Sequence, residues 1–284
     1  MKRKFHPNSY QHIYQISADK GVIFCTTADY ILFYIEKIYK NKNESKMALL
    51  KGIKIRIEAD APTDDLIEAN HAKILEDFDK INRNIDTIID ERFIFSQKYN
   101  TSRIVNNYGR ILHLDGDKLY SEKTEEYYKK RGLNYIVKHV SEFRQPAVIK
   151  GLLNRYIPDI LVITGHDGMI RNGKNFYDIN NYRNSKYFVK AVKEARQWSP
   201  NNEKLVIIAG ACQSYYEAIM SEGANFASSP GRILIDFIDP LIVANEIAIT
   251  NSDRIVVMSD LEAKIRNGRN AIDGMGAKGK NFVI

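Results

Sequence analysis

The chain has 284 residues, of which 44% are hydrophobic and 27% charged, with a formal charge of +7. That length and balance fit one or two globular domains that bury a core without disulfides or metals. They exclude a collagen-like, low-complexity or disordered chain.

Residues 10–57 predict short strands. Val22-Ile23-Phe24-Cys25 and the run from Tyr30 to Ile35 are rich in β-branched and aromatic residues. Residues 41–46 form a polar turn, and Gly52-Ile53-Lys54-Ile55-Arg56-Ile57 alternates apolar and polar side chains over a strand length. Residues 1–58 therefore predict a small β-barrel-like, SH3-like module. Thr63-Asp64-Asp65 then supplies a helix start, and apolar residues recur at Ile67, Ile74, Phe78, Ile81, Ile85, Ile88 and Phe95. This predicts a long amphipathic helix, and a helical connector over 59–104.

Residues 105–284 alternate strand and helix patterns. Strands are expected at 110–114, 135–140, 160–164, 205–209, 233–237 and 255–258. Helices are expected at 121–131, 146–156, 185–198, 214–221 and 240–250, with an irregular tail over 262–284. The predicted class is α/β, a three-layer α/β/α sandwich around a mostly parallel sheet. Tyr108, Tyr127, Tyr128 and Lys129-Lys130-Arg131 are expected on a solvated face. Gly274-Met275-Gly276-Ala277-Lys278-Gly279-Lys280 lacks the spacing of a phosphate-binding loop.

In such a sheet, ligands bind beyond the carboxyl ends of the strands. The third strand runs into Gly165-His166-Asp167-Gly168 and the fourth into Gly210-Ala211-Cys212-Gln213-Ser214. Consecutive strands are expected to be neighbours, which brings His166 and Cys212 to one edge. A thiolate is the nucleophile, and an imidazole can activate it and later protonate the leaving amine. The helix expected from Ser214 would lower the thiol pKa further. The N–H groups of Asp167 or Gly168 and of Cys212 could hold an oxyanion. The predicted chemistry is peptide-bond hydrolysis through a thioester, with no cofactor and no metal. The remaining histidines, His6, His12, His71, His113 and His139, have no ligand spacing.

The apolar strand ending in Gly165-His166 and the apolar strand ending in Ala211-Cys212 resemble those of the clan CD cysteine peptidases, which include caspases, legumains, clostripain and separases. The gap from 166 to 212 is 46 residues, close to the caspase spacing. With Ala59-Asp60-Ala61-Pro62, Thr164-Gly165-His166-Asp167-Gly168 and Ala209 to Ser214, nearly all of residues 20–280 resembles the YabG family of sporulation-specific peptidases. The resemblance implies a caspase-like domain, cleavage after arginine or lysine, and substrates among spore coat and cortex-related proteins. It also implies a place in the mother-cell cytoplasm beside the forming spore. Clan members read His-Gly, whereas Asp167 intervenes here. Those taking basic residues have an acidic group in the S1 pocket, in some of them at the position of Gly210. The acid must then come from elsewhere: Asp236 or Asp239 first, Asp115 or Asp117 next. Self-cleavage is expected in polar loops such as Lys264-Ile265-Arg266-Asn267-Gly268-Arg269.

Only two cysteines, Cys25 and Cys212, occur, which excludes a disulfide framework and suits a reducing compartment. Cys25 is expected to pack in the small module. No apolar run of membrane-spanning length, about 18 residues, is present. The basic charge is spread along the chain, so nucleic acid is not the expected partner. A glutamine amidohydrolase would place its histidine after the cysteine, and none follows Cys212. The alternative from another class is a non-catalytic scaffold or a basic nucleic-acid-binding protein that keeps the fold.

Overall fold

The computed structural model describes residues 13–17, 30–53, 55–68, 75, 106–170 and 175–283. Five strands come first: β1 (Ile13–Ser17), β2 (Tyr30–Lys40), β3 (Lys46–Gly52), β4 (Glu58–Pro62) and β5 (Ile67–Glu68). They form one antiparallel sheet in the order β4-β3-β2-β1-β5. The polar turn after β2 forms because the Asn41 side chain accepts the N–H groups of Asn43 (2.9 Å) and Ser45 (3.0 Å).

Two expectations change in this module. The sheet extends past residue 58 to take in β4 and β5, and Thr63–Asp65 is one 3₁₀ turn rather than the start of a helix. Residues 53 and 55–57 of the alternating stretch belong to the tip of the β3–β4 hairpin, not to a strand: the Gly52 N–H donates to Ile57 O at 2.9 Å and closes it. The strand expected at Val22 to Cys25 lies outside the described residues, as do 69–74 and 76–98 of the expected helix.

The second part of the chain runs β6 (Asn106–Tyr108), β7 (Ile111–Asp115), α1 (Lys118–Lys130), β8 (Tyr135–His139), α2 (Gln145–Tyr156), β9 (Ile160–Thr164) and α3 (Ser185–Trp198). It continues as β10 (Val206–Ala209), α4 (Tyr216–Ser221), β11 (Phe226–Ser228), α5 (Asp239–Ile249), β12 (Ile255–Val256) and α6 (Met258–Leu261). Three short strands close it: β13 (Ile272–Gly274), β14 (Ala277–Lys278) and β15 (Asn281–Val283). Six of these strands form a sheet in the order β13-β11-β10-β9-β7-β8. All of its pairings are parallel except β11 with β13.

The central strands are apolar throughout because both faces are covered. Ile160, Val162, Val206 and Ile208 face a core shared with Tyr127 and Tyr128 of α1 and Leu241 of α5. Leu161, Ile163 and Ile207 face Ile149 and Leu153 of α2 and Phe188 of α3. The tyrosines of α1 are thus core residues and not part of a solvated face. Phe188→Ala should cost about 3–5 kcal/mol, because its ring is wholly buried among aliphatic neighbours. Urea midpoints would check this; a loss under about 1 kcal/mol would mean that the second layer is loosely packed.

The expected strand at 233–237 does not form, and β11 takes its place beside β10. The tail is less irregular than expected: β13 joins the main sheet, β14 pairs with β12, and β15 pairs with β6. The strand order turns back between β7 and β9, since β8 lies to one side of β7 and the later strands to the other. That switch point opens a crevice past Asp115 and Thr164. Leu50 of β3 and Ile53 and Ile57 of the hairpin tip share a core cluster with α1 and α5, so the first module packs onto this half of the molecule.

Candidate active site

β9 and β10 are registered with Ile163 opposite Ala209. His166 and Cys212 each lie three residues past that pair, so they leave the sheet at one level on neighbouring strands. Both are fully buried. Left-handed backbone at Gln213 (φ 54°) turns the chain directly after the cysteine.

The two side chains do not hydrogen-bond each other. The Cys212 sulfur accepts the Ile235 N–H at 3.3 Å and lies 3.6 Å from Ile235 O. His166 Nε2 lies 3.3 Å from Gly52 O, at the root of the hairpin tip, and among the described residues its Nδ1 has no partner. Its ring also lies 5.7 Å from that of Tyr120. Burial pushes the thiol up to about 12, against the Ile235 N–H and the charge and amide of Arg56, which favour the thiolate. Burial likewise pushes His166 down to about 4, against the pull of the Asp117 carboxylate. At neutral pH the pair rests as thiol and neutral imidazole. The expected lowering of the thiol pKa by a following helix is overturned, because α4 starts only at Tyr216, runs six residues and cannot offset the desolvation. Alkylation mapped to Cys212 in the intact chain at pH 8 should therefore run about 10²-fold below that of a free thiol. A rate like that of glutathione would contradict this burial.

Asp167 explains the departure from His-Gly. Its Oδ1 accepts the N–H groups of Gly168 (2.8 Å) and Asn184 (2.8 Å), and its Oδ2 accepts the hydroxyls of Ser185 and Ser214 (3.0 Å). Ser214 Oγ in turn accepts the Ala211 N–H at 2.8 Å. One buried carboxyl thus ties the histidine loop to the cysteine loop and to the start of α3. Burial raises its pKa to about 6 in spite of these four donors. The Gly168 N–H is occupied by Asp167 itself, whereas the Asp167 N–H donates to Arg56 O at 3.1 Å.

Glu142 has no sequence signal of its own, yet its Oε1 accepts the His166 backbone N–H at 2.7 Å. The usable clue was a pair of glycines: a Cβ at Gly116 or Gly165 would lie 2.1 or 2.4 Å from that oxygen. Arg56 was missed as well. It reads as the outer face of an alternating strand, but it is fully buried.

The four carboxylates proposed for S1 lie in two places. Asp115 ends β7 and Asp117 follows it, at the switch point. Asp115 is fully buried; its Oδ1 accepts the Asp117 N–H (2.9 Å) and its Oδ2 the Thr164 hydroxyl (2.9 Å). Asp117 caps α1 by accepting the N–H groups of Leu119 and Tyr120, and it also accepts the Tyr34 hydroxyl at 3.0 Å. Burial pushes Asp117 up, but the His166 charge and these hydrogen bonds outweigh it and hold the carboxyl below its ordinary value. Asp236 and Asp239 lie together at the start of α5, where Asp239 accepts the Asp236 N–H at 3.1 Å. Burial, then the charge of Asp236, raises Asp239 to about 8, so it is mostly protonated at neutral pH. Among the described residues no cluster of three or more His, Cys, Asp or Glu could hold a metal ion, and no helix is long and apolar enough to cross a membrane.

Comparison with known proteins assigns the chain to a class. A peptidase family model, described as YabG peptidase U57, matches residues 25–282. The chain belongs to that family. It is 36% identical over 233 residues to the sporulation-specific protease YabG of Bacillus subtilis (strain 168), covering 78% of this chain and 80% of that protein. No solved structure matches.

Proposed function

We propose that this chain is a cysteine endopeptidase of spore formation. The observation that carries the reading is the placement of Cys212 and His166 at one level past two adjacent parallel strands, within a chain of a peptidase family. Cys212 attacks the scissile carbonyl, and His166 takes the thiol proton and passes it to the leaving amine. The N–H groups of Asp167 and Cys212 hold the oxyanion; each such donor is worth about 3 kcal/mol. Asp117, whose charge favours the protonated imidazole, supports the imidazolium formed during the step.

The α/β half is read as caspase-like, because the histidine and cysteine strands sit side by side at the middle of the sheet. The five-stranded module is read as a small SH3-like barrel. The substrates we propose are spore coat and cortex-related proteins and the chain itself, cut after arginine or lysine in the mother cell. Digestion of a protein mixture with the purified chain, read by mass spectrometry for the residue before each cut, tests this. Basic residues should dominate, and no cuts should appear with Cys212→Ala. Cuts after uncharged residues at comparable rates would remove the basic specificity. Cuts that persist in Cys212→Ala would remove the thiol mechanism.

A further inference from the structure

The tip of the β3–β4 hairpin lies in the crevice, and its contacts follow the order that a peptide substrate would need. Arg56 carries a full charge at a hairpin tip, where solvent-facing polar residues are the norm, yet none of it is exposed. Its guanidinium meets Asp115 at 2.6 Å, an ion pair in which both groups are wholly buried. The guanidinium carbon also lies 4.5 Å over the Tyr120 ring. Tyr120 pins the tip from below by donating its hydroxyl to Ile53 O at 2.8 Å.

The backbone of the tip is held from both sides. The Arg56 carbonyl accepts the Asp167 N–H at 3.1 Å, and the Glu58 N–H donates to Asp167 O at 2.9 Å. Ile57 thereby forms a parallel bridge with Asp167, while Ile55 forms an antiparallel bridge with Asp236. The strand-like stretch before β11's successor helix, misread as a sheet strand, is thus one wall of the cleft. A Cβ at Gly168 would lie 2.3 Å from Glu58 O, so the glycine makes room for the tip. The Gly52 carbonyl occupies His166 Nε2.

We propose that residues 55–57 occupy the peptide-binding cleft as an internal substrate, with Arg56 in the P1 position, Asp115 as the carboxylate that reads arginine, and Arg56–Ile57 as the first bond cut. This rests on the reading of Cys212 and His166 as a peptidase dyad and deepens it. It ranks Asp115 above Asp236 and Asp239, whose oxygens serve the backbone at the start of α5. The Asp115 carboxylate is oriented by the Asp117 N–H and the Thr164 hydroxyl, so it is held in place before any ligand arrives. A guanidinium on the Tyr120 face and a fixed carboxylate favour arginine over lysine. In the cut, Sγ adds to the Arg56 carbonyl carbon while the thiol proton passes to His166. The C–N bond to Ile57 breaks and the amine leaves with that proton. Water then hydrolyses the thioester, which leaves a carboxylate on Arg56 and restores the thiol. Until the cut, the tip shields the sulfur and excludes other substrates.

The test is to sequence the amino termini of fragments as the freshly purified chain ages, and to compare it with Arg56→Gln and Asp115→Asn. The first new terminus should be Ile57, formed at a rate independent of protein concentration. In Arg56→Gln that cut should vanish, and alkylation at Cys212 and cleavage of an added arginyl peptide should each rise at least about tenfold over the uncut parent, since the competent cleft is no longer occupied. Asp115→Asn should lower cleavage of the arginyl peptide by about 10²-fold or more, with a much smaller effect on a peptide bearing an uncharged residue there. A first terminus elsewhere, in loop 264–269 for instance, overturns the proposal. So does an Arg56→Gln chain that folds but shows an unchanged alkylation rate, which is the outcome for a purely structural ion pair. Should Arg56→Gln fail to fold, the first terminus of the unaltered chain decides. If the unaltered chain cuts neither itself nor any peptide, the dyad reading fails instead.

Discussion

Cys212→Ala is expected to abolish peptide cleavage while the chain still folds. Removing a nucleophile that acts in concert with its base costs about 10⁶-fold in kcat in well-studied hydrolases, so activity should fall below detection. The stability cost is small by comparison. Only one sulfur leaves a buried site, worth about 1 kcal/mol of lost burial, and the Ile235 N–H that faces it loses a weak acceptor. His166→Ala should remove activity to a similar degree, because among the described residues no other histidine is placed beside the cysteine strand: His113 lies beneath the switch point, engaged with Tyr128 and Thr164. Circular dichroism and urea midpoints separate lost chemistry from lost fold. Residual cleavage above about a hundredth of the parent in either variant would remove that residue from the mechanism.

Asp167→Ala should be among the most damaging changes at a side chain that performs no step of the reaction. Four donors lose their acceptor, two of them backbone amides, around a carboxyl that is fully buried. Each unsatisfied buried group costs about 1–3 kcal/mol, and they relax together, so the loss is about 3–5 kcal/mol. Asp167→Asn keeps one carbonyl for the Gly168 and Asn184 amides, and it lets the two serine hydroxyls turn to accept, so about 1–2 kcal/mol is expected. The two variants also differ from the parent in pH dependence. The folded-state pKa of Asp167 is raised to about 6 from an ordinary 3.8. Its protonated form is thus favoured by folding, and this contribution is full below pH 3.8 and is lost as pH rises through about 6. Subtracting the stability curve of Asp167→Asn from that of the parent should show a decline across that window. A flat difference, or one that rises with pH, would show that the carboxyl is not buried as described.

The middle of the α/β half was legible because its chemistry is local. Ile160 to Thr164 and Val206 to Ala209 are apolar on both faces, which only a strand covered on two sides requires. The helix after the first of them, α3, buries Phe188, Ala191, Val192 and Ala195 at a 3.6-residue period. The site followed from topology: residues just past two neighbouring parallel strands must be neighbours. What failed did so where tertiary contacts outweigh local pattern. The run Ile233 to Phe237 is apolar because it lines the cysteine loop and backs the hairpin tip, not because it is a strand of the sheet. β11 takes its place with three small or aromatic residues that give no periodic signal. Arg56 sits at a polar position in an alternating stretch, and its burial depends on Asp115, which lies 59 positions further along the chain. Glu142 is a lone acid in a 3₁₀ turn, and its role shows only in the missing side chains of Gly116 and Gly165.

In the proposed mechanism one thiol, activated by one imidazole, carries the peptidase activity. A peptidyl-arginine chloromethyl ketone, whose peptide carries its alkylating group to the nucleophile beside the bound arginine, is the reagent of choice. Intact-mass measurement followed by peptide mapping should show a single adduct on Cys212, formed in step with loss of activity, absent in Cys212→Ala and strongly slowed in His166→Ala. Complete loss of activity with the adduct mapped to another residue, or cleavage that continues while Cys212 is fully modified, would contradict the account.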